Sequence, residues 1–99
     1  MKPIRWSAHA RKRAAKREVQ ENEGERTIAR PDSIVPGQWR RRIFMRRYFD
    51  TILETEMLLR VVVEETDTEL TVVTLYKTSK FAKYEGGACR LITTSKRTR

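Results

Sequence analysis

The chain reads as an α+β domain, with two N-terminal helices packed on one face of a small antiparallel sheet in the order β-α-α-β-β-β. Three observations predict this. The patterning switches from helical to period-two after Gly37. The connections in the second half are short enough for antiparallel hairpins. A chain of 99 residues holds one core, so all elements must share it.

Each element has a local reason. Ile4-Arg5-Trp6 alternates and reads as a short strand. Ser7 is an N-cap for a helix over 8–17, with basic residues near its C-terminal end, where the dipole favours them. Its apolar face is only Ala8, Ala10, Ala14 and Ala15. A second helix fits 21–30. Glu21, Glu23 and Glu25 suit its first turns, and Pro31 ends it because the residue before proline avoids the helical region. Gly24 lies inside that helix and costs roughly 1 kcal/mol relative to alanine. Pro31 to Gly37 reads as a loop. Strands follow at 39–49, 57–65 and 70–78, joined through Asp50–Thr55 and Thr66–Glu69. The domain is expected to span 1–85. Residues 86–99 read as a basic, flexible tail in which Leu91-Ile92 forms at most a short docking element.

Hydrophobic residues make up 38% and charged residues 35%, so the core is thin. Dimerisation would add buried surface, and a homodimer is one expected assembly. The net charge is +9 and the pI about 10.3. So basic a domain usually meets a polyanion or an acidic partner, and nucleic acid is the favoured choice. Charge alone does not choose between nucleic acid, an anionic membrane surface and an acidic inhibitor. Cys89 is the lone cysteine, which excludes an internal disulfide and points to a reducing compartment. There is no apolar run long enough to span a bilayer and no signal-peptide core after Met1. The expectation is a cytoplasmic protein with no membrane partner.

Charge comes in blocks. Residues 1–17 hold seven Lys/Arg and no acid, and residues 39–47 hold five Arg and no acid. Residues 18–38 carry five acids, and residues 48–75 carry seven. Residues 76–99 return to seven Lys/Arg against Glu85 alone. Such blocks build one-sign surfaces if the fold brings like blocks together, and cancel if it does not. The run Thr74-Leu75-Tyr76-Lys77-Thr78-Ser79-Lys80, closing on Lys83-Tyr84, combines hydroxyls with ammonium groups, which is equipment for holding a phosphodiester.

The pattern Trp6-x-x-His9-Ala10-x-x-Arg13-x-x-x-Arg17, an acidic helix ending at Pro31-Asp32, then Leu58-Leu59-Arg60-Val61-Val62-Val63 and Val72-Val73-Thr74-x-Tyr76-x-Thr78-Ser79-Lys80-x-x-Lys83-Tyr84, resembles a group of small bacterial domains placed beside the RelE-like and BrnT-like toxins. The resemblance covers residues 4 to 84. It implies a compact RNase-toxin fold with two helices before an antiparallel sheet. Toxins of that class cut mRNA, often on the ribosome, and are held by an acidic antitoxin. The chain departs from the pattern at Gly24, where an apolar residue is usual, at Gln20, which replaces a Ser/Thr cap, and in its arginine-rich first long strand.

Cleavage of that type needs no metal and no cofactor, because RNA supplies its own 2′-hydroxyl. The protein must neutralise the phosphorane and move protons. The expected catalytic residues are His9, Lys80 and Tyr84. The expected RNA contacts are Arg13, Arg46, Arg47, Tyr76, Lys77 and Lys83. They are placed in one open groove, with the end of the last strand facing His9 and Arg13. His9 is the sole histidine, and an ordinary imidazole titrates near neutrality. A structural reading stands beside each assignment. A first-turn histidine often bonds nearby backbone. Arginines on a strand protect an edge. A basic strand end is often only a solvated turn. Trp6, Trp39, Phe44 and Phe49 are read as core rather than as base-stacking platforms. The alternative function is a non-catalytic module that binds RNA or an acidic protein. One histidine and one cysteine do not make a zinc site, and Gly86-Gly87 is no phosphate loop.

Overall fold

Ser7 starts the first helix as its residue type requires. Its hydroxyl accepts the Ala10 N–H at 3.0 Å, and its own N–H and O–H reach the Val72 and Val73 carbonyls. One serine therefore both caps a helix and ties it to a strand. In the computed structural model, which describes residues 2–81, the order is β1 (Ile4–Trp6), α1 (Ala8–Lys16), α2 (Glu21–Ala29), β2 (Ser33–Pro36), β3 (Arg41–Asp50), β4 (Thr55–Glu65) and β5 (Leu70–Thr78). The fold is a small α+β domain with two helices and a mixed sheet ordered β1-β5-β4-β3-β2.

The sheet differs from expectation in two ways. It is not purely antiparallel, because β1 lies parallel to β5, with Ile4 opposite Leu70 and Trp6 opposite Val72. No hairpin joins these strands, since both helices and three strands separate them, so no turn dictates their direction. The stretch read as a loop also contains β2, which pairs antiparallel with β3 from Ser33 opposite Met45 to Pro36 opposite Arg42. A four-residue edge strand ending in proline carries almost no periodic signal, and proline is tolerated there because an edge needs no second ladder. The long strands β3, β4 and β5 form the expected antiparallel meander.

Both helices cover one face. Ala10, Ala14, Val19 and Ile28 pack with Phe44, Tyr48, Met57, Leu59, Val61, Val63, Val72 and Leu75. Ala8 and Ala15 stay exposed, so the seat of α1 is narrower than its alanine count suggests. Gly24 is explained by what it faces. A Cβ there would come within 2.8 Å of the Trp6 ring, so the helix accepts a poor former to let the indole approach its backbone. The Trp6 N–H then donates to Glu25 at 3.0 Å. Along β5 the register slips between Val62 and Val63, which pair with Thr74 and Val72 and leave Val73 as an extra residue.

Candidate nucleic-acid interface

The outer face of α1 presents a row of basic side chains to solvent. Ala10 and Ala14 turn toward the sheet, and His9, Lys12, Arg13 and Lys16 form a flanking stripe at helical spacing. These four line a cleft of about 300 Å³. The stripe covers roughly 10 Å along the helix axis. No ion pair engages Lys12, Arg13, Lys16 or Arg17 among the described residues, and only Arg11 of this helix approaches a carboxylate, Glu21 at 4.0 Å. Lysine and arginine near the helix C-terminus also meet the favourable end of its dipole, which helps keep the helix intact while its cations face solvent.

The arginines of β3 have a different fate. Strand alternation sends Arg42 and Arg46 to the helix face, and Arg41 and Arg47 to the other. Arg41 pairs with Glu64, Arg42 with Glu65 at 2.7 Å, and Arg47 with Glu56 at 3.4 Å. Arg46 bonds Glu23 of α2, which also meets Arg26 at 3.6 Å. β3 is not an edge, so these charges do not guard one. They link the strand to β4 and to the helix layer. Lys2 and Arg42 together hold the Glu65 carboxyl below its ordinary range, the hydrogen bond from Lys2 being the larger cause.

Lys77 is committed more deeply. Its ammonium lies 2.6 Å from Asp50, with side-chain exposures of 11% and 3%. The Tyr48 hydroxyl donates to the same carboxylate at 3.0 Å, and the second carboxylate oxygen accepts the N–H groups of Ile52 and Leu53. Burial alone would push the Asp50 carboxyl up. The Lys77, Leu53 and Tyr48 bonds outweigh it and hold the group at about 2. Burial, joined by the Asp50 bond, pushes the Tyr48 phenol upward. With both acceptor oxygens of Asp50 in use, this cluster is a lock on the β3–β4 turn and the end of β5.

The expected groove is therefore not assembled as a unit. His9 and Arg13 share the α1 cleft. Tyr76 pairs with Arg60 of β4 on the sheet face turned away from the helices, where the Arg60 guanidinium donates to its hydroxyl and lies 5.3 Å from its ring. Tyr76 and His9 thus stand on opposite sides of the sheet. Lys77 lies under the helices with Asp50, and Arg46 with Glu23. Lys80 is exposed just past β5, its N–H on the Thr78 hydroxyl. The next residue, Phe81, stacks on Arg47 at 4.3 Å. Lys83, Tyr84, Cys89 and the tail after Gly87 lie outside the described residues.

Lys12 and Lys16 were not among the expected contacts. Their spacing from His9 and Arg13 was the signal, since i, i+3, i+4 and i+7 define one helix stripe. Two aromatics expected in the core are outside it: Trp39 is 90% exposed and Phe49 62%. Trp6 and Phe44 are buried as expected.

Residues 6–77 match the family described as a domain of unknown function, DUF4258. The chain belongs to that family. The DUF4258 match runs from Trp6 through Lys77 and so takes in α1, the arginine strand and the Asp50 lock. Neither the curated proteins nor the solved structures compared with the chain give a match. Among the described residues, no helix is long and apolar enough to cross a membrane, and no cluster of three or more His, Cys, Asp or Glu is placed to hold a metal ion.

Proposed function

We propose that this DUF4258 chain is an RNA-binding domain whose principal contact is the outer face of α1. The observation that carries the reading is the unpaired state of Lys12, Arg13, Lys16 and Arg17 among the described residues, beside strand arginines that are neutralised. A phosphate backbone is the polyanion that suits a linear row of cations about 10 Å long, because each neutralised phosphate releases bound counterions. RNA is favoured over an acidic protein by the resemblance to RelE/BrnT-like toxins.

The test is binding of single-stranded RNA at several salt concentrations. Replacing Lys12, Arg13 and Lys16 together by glutamine should lower affinity at low salt and reduce the log-log salt slope by about 2, at roughly 0.7 per phosphate contact for a single strand. An unchanged slope overturns the assignment.

A second reading is the toxin-type, metal-independent mRNA endonuclease. It is favoured by the exposed imidazole of His9 in the same cleft as Arg13, so a proton-transfer group stands beside a phosphate-binding one. Induced expression in a bacterial host, with mRNA integrity followed, separates the two. Cleavage lost in His9→Ala with RNA binding retained supports the enzyme. Intact mRNA under wild-type protein leaves the binding module. On the enzyme reading, an acidic antitoxin is the expected protein partner.

A further inference from the structure

The turn between β2 and β3 presents a tryptophan that the fold does not use. Trp39 is 90% exposed, although indole is among the most costly side chains to leave in water. Its backbone φ is +65°, in the left-handed region that favours glycine, so a bulky residue stands at a position the turn would give more readily to a smaller one. The turn itself is well built. Gly37 N–H reaches the Arg41 carbonyl at 2.8 Å, and Arg41 N–H reaches Gln38 at 3.0 Å. The Trp39 side chain therefore adds almost no buried area to the core, and the turn's backbone bonds do not involve it.

Its surroundings carry both signs, with cations in excess. Trp39 lines an open cleft of about 490 Å³ with Lys2, Arg40, Arg41 and Arg42. Glu65 and Asp67 are the acids of that lining, and Glu65 is already held by Lys2 at 2.8 Å and Arg42 at 2.7 Å. Arg40 makes no ion pair among the described residues. Its carbonyl accepts the Glu65 N–H, which fixes the backbone and leaves the guanidinium outside the ladder. A flat aromatic surface with an adjacent free guanidinium offers a stacking platform for a base and a contact for its phosphate.

We infer that Trp39 and Arg40 form a second contact for single-stranded RNA, in which an unpaired base stacks on the indole. This rests on the RNA reading of α1 and adds to it a preference for strands with exposed bases. Duplex RNA offers phosphates but no free base face, so it should engage α1 alone.

The test uses the full chain, a mixed-sequence single-stranded RNA 12-mer, the matching duplex and linear polyphosphate. Trp6 is buried, so the solvent-exposed emission belongs to Trp39. The single strand should quench that emission, and polyphosphate should not. Trp39→Ala should weaken single-strand binding roughly five- to hundred-fold, the range for losing one base–aromatic stack. It should leave polyphosphate affinity unchanged, and Trp39→Phe should recover most of the loss. Far-ultraviolet circular dichroism of each variant checks that the fold is retained. Single-strand affinity that survives Trp39→Ala, or emission unmoved at saturating RNA, overturns the inference, while α1-dependent binding still stands. The opposite pattern, with base-dependent quenching but no effect of the α1 triple variant, retains Trp39 and overturns the α1 reading.

Discussion

Helix α1 and strand β3 carry nearly the same density of positive charge, and the fold treats them in opposite ways. On β3, Arg41, Arg42, Arg46 and Arg47 each meet a carboxylate. On α1, among the described residues, only Arg11 does so. The difference lies in the neighbours rather than in the residues. A central strand has partners on both sides and a layer above it. The acidic block of 48–75 supplies Glu56, Glu64 and Glu65 from β4, and α2 supplies Glu23. A surface helix has one buried face and three that meet water. A run of cations in a sequence is thus available to a ligand only where nothing across the register answers it.

The largest expected effect probes the most committed cation. Asp50→Ala strips Lys77 of its carboxylate in a nearly dry site and should cost roughly 3–5 kcal/mol, as removal of one partner from a buried pair does. Denaturant unfolding measures it, and a loss below about 1 kcal/mol would place Lys77 with the free cations of α1 instead. The same pair predicts an acid limb. Because the Asp50 carboxyl is held at about 2 against an ordinary 3.8, its contribution is full above pH 3.8 and is lost as pH falls toward 2. Wild-type stability should fall through that window, and Asp50→Ala should flatten that limb.

A smaller effect sets one strand arginine against the helix. Arg46→Ala leaves Glu23 half-buried and should cost about 2 kcal/mol of stability, with RNA affinity little changed. The α1 triple variant should do the reverse, with stability within about 0.5 kcal/mol of wild type and affinity reduced. If Arg46→Ala weakens RNA binding as much as the helix variant does, the contrast between the regions is broken.

The smallest change tests the seat on which the helices rest. Gly24→Ala gains about 1 kcal/mol of helix propensity but drives a methyl into the Trp6 ring, and overpacking of that kind costs about 1–3 kcal/mol. A net loss near 1 kcal/mol in thermal unfolding is expected. A net gain would show that the indole moves aside.

Much of the fold was legible because its signals are local. Ser7 announced α1, Pro31 closed α2, and alternation in the long strands placed the meander. β2 was not legible because four residues with a terminal proline give no period to count. The direction of β1 was not, because a contact between residue 4 and residue 70 is set by the assembled layers rather than by a turn. The site was legible in kind more than in place. His9 and Arg13 were found together because helix spacing is regular. Lys77 looked like a phosphate ligand because nothing near it in sequence reveals Asp50, 27 residues away. Trp39 looked like core because a small domain needs aromatic area, and that rule cannot tell which indole a turn will turn outward.

The extra residue at Val73 has a reach beyond its own position. Counted by twos from Leu70 and Val72, both on the helix face, β5 would next send Thr74, Tyr76 and Thr78 beneath the helices. The inserted valine shifts the phase, and Leu75 and Lys77 take those places instead. A phenol was exchanged for an ammonium under α1 without altering either residue. The same interruption exposes the carbonyls that Ser7 grips. One added residue therefore acts as a reading-frame change for the strand, choosing which chemistry is sealed inside and which is shown on the far side.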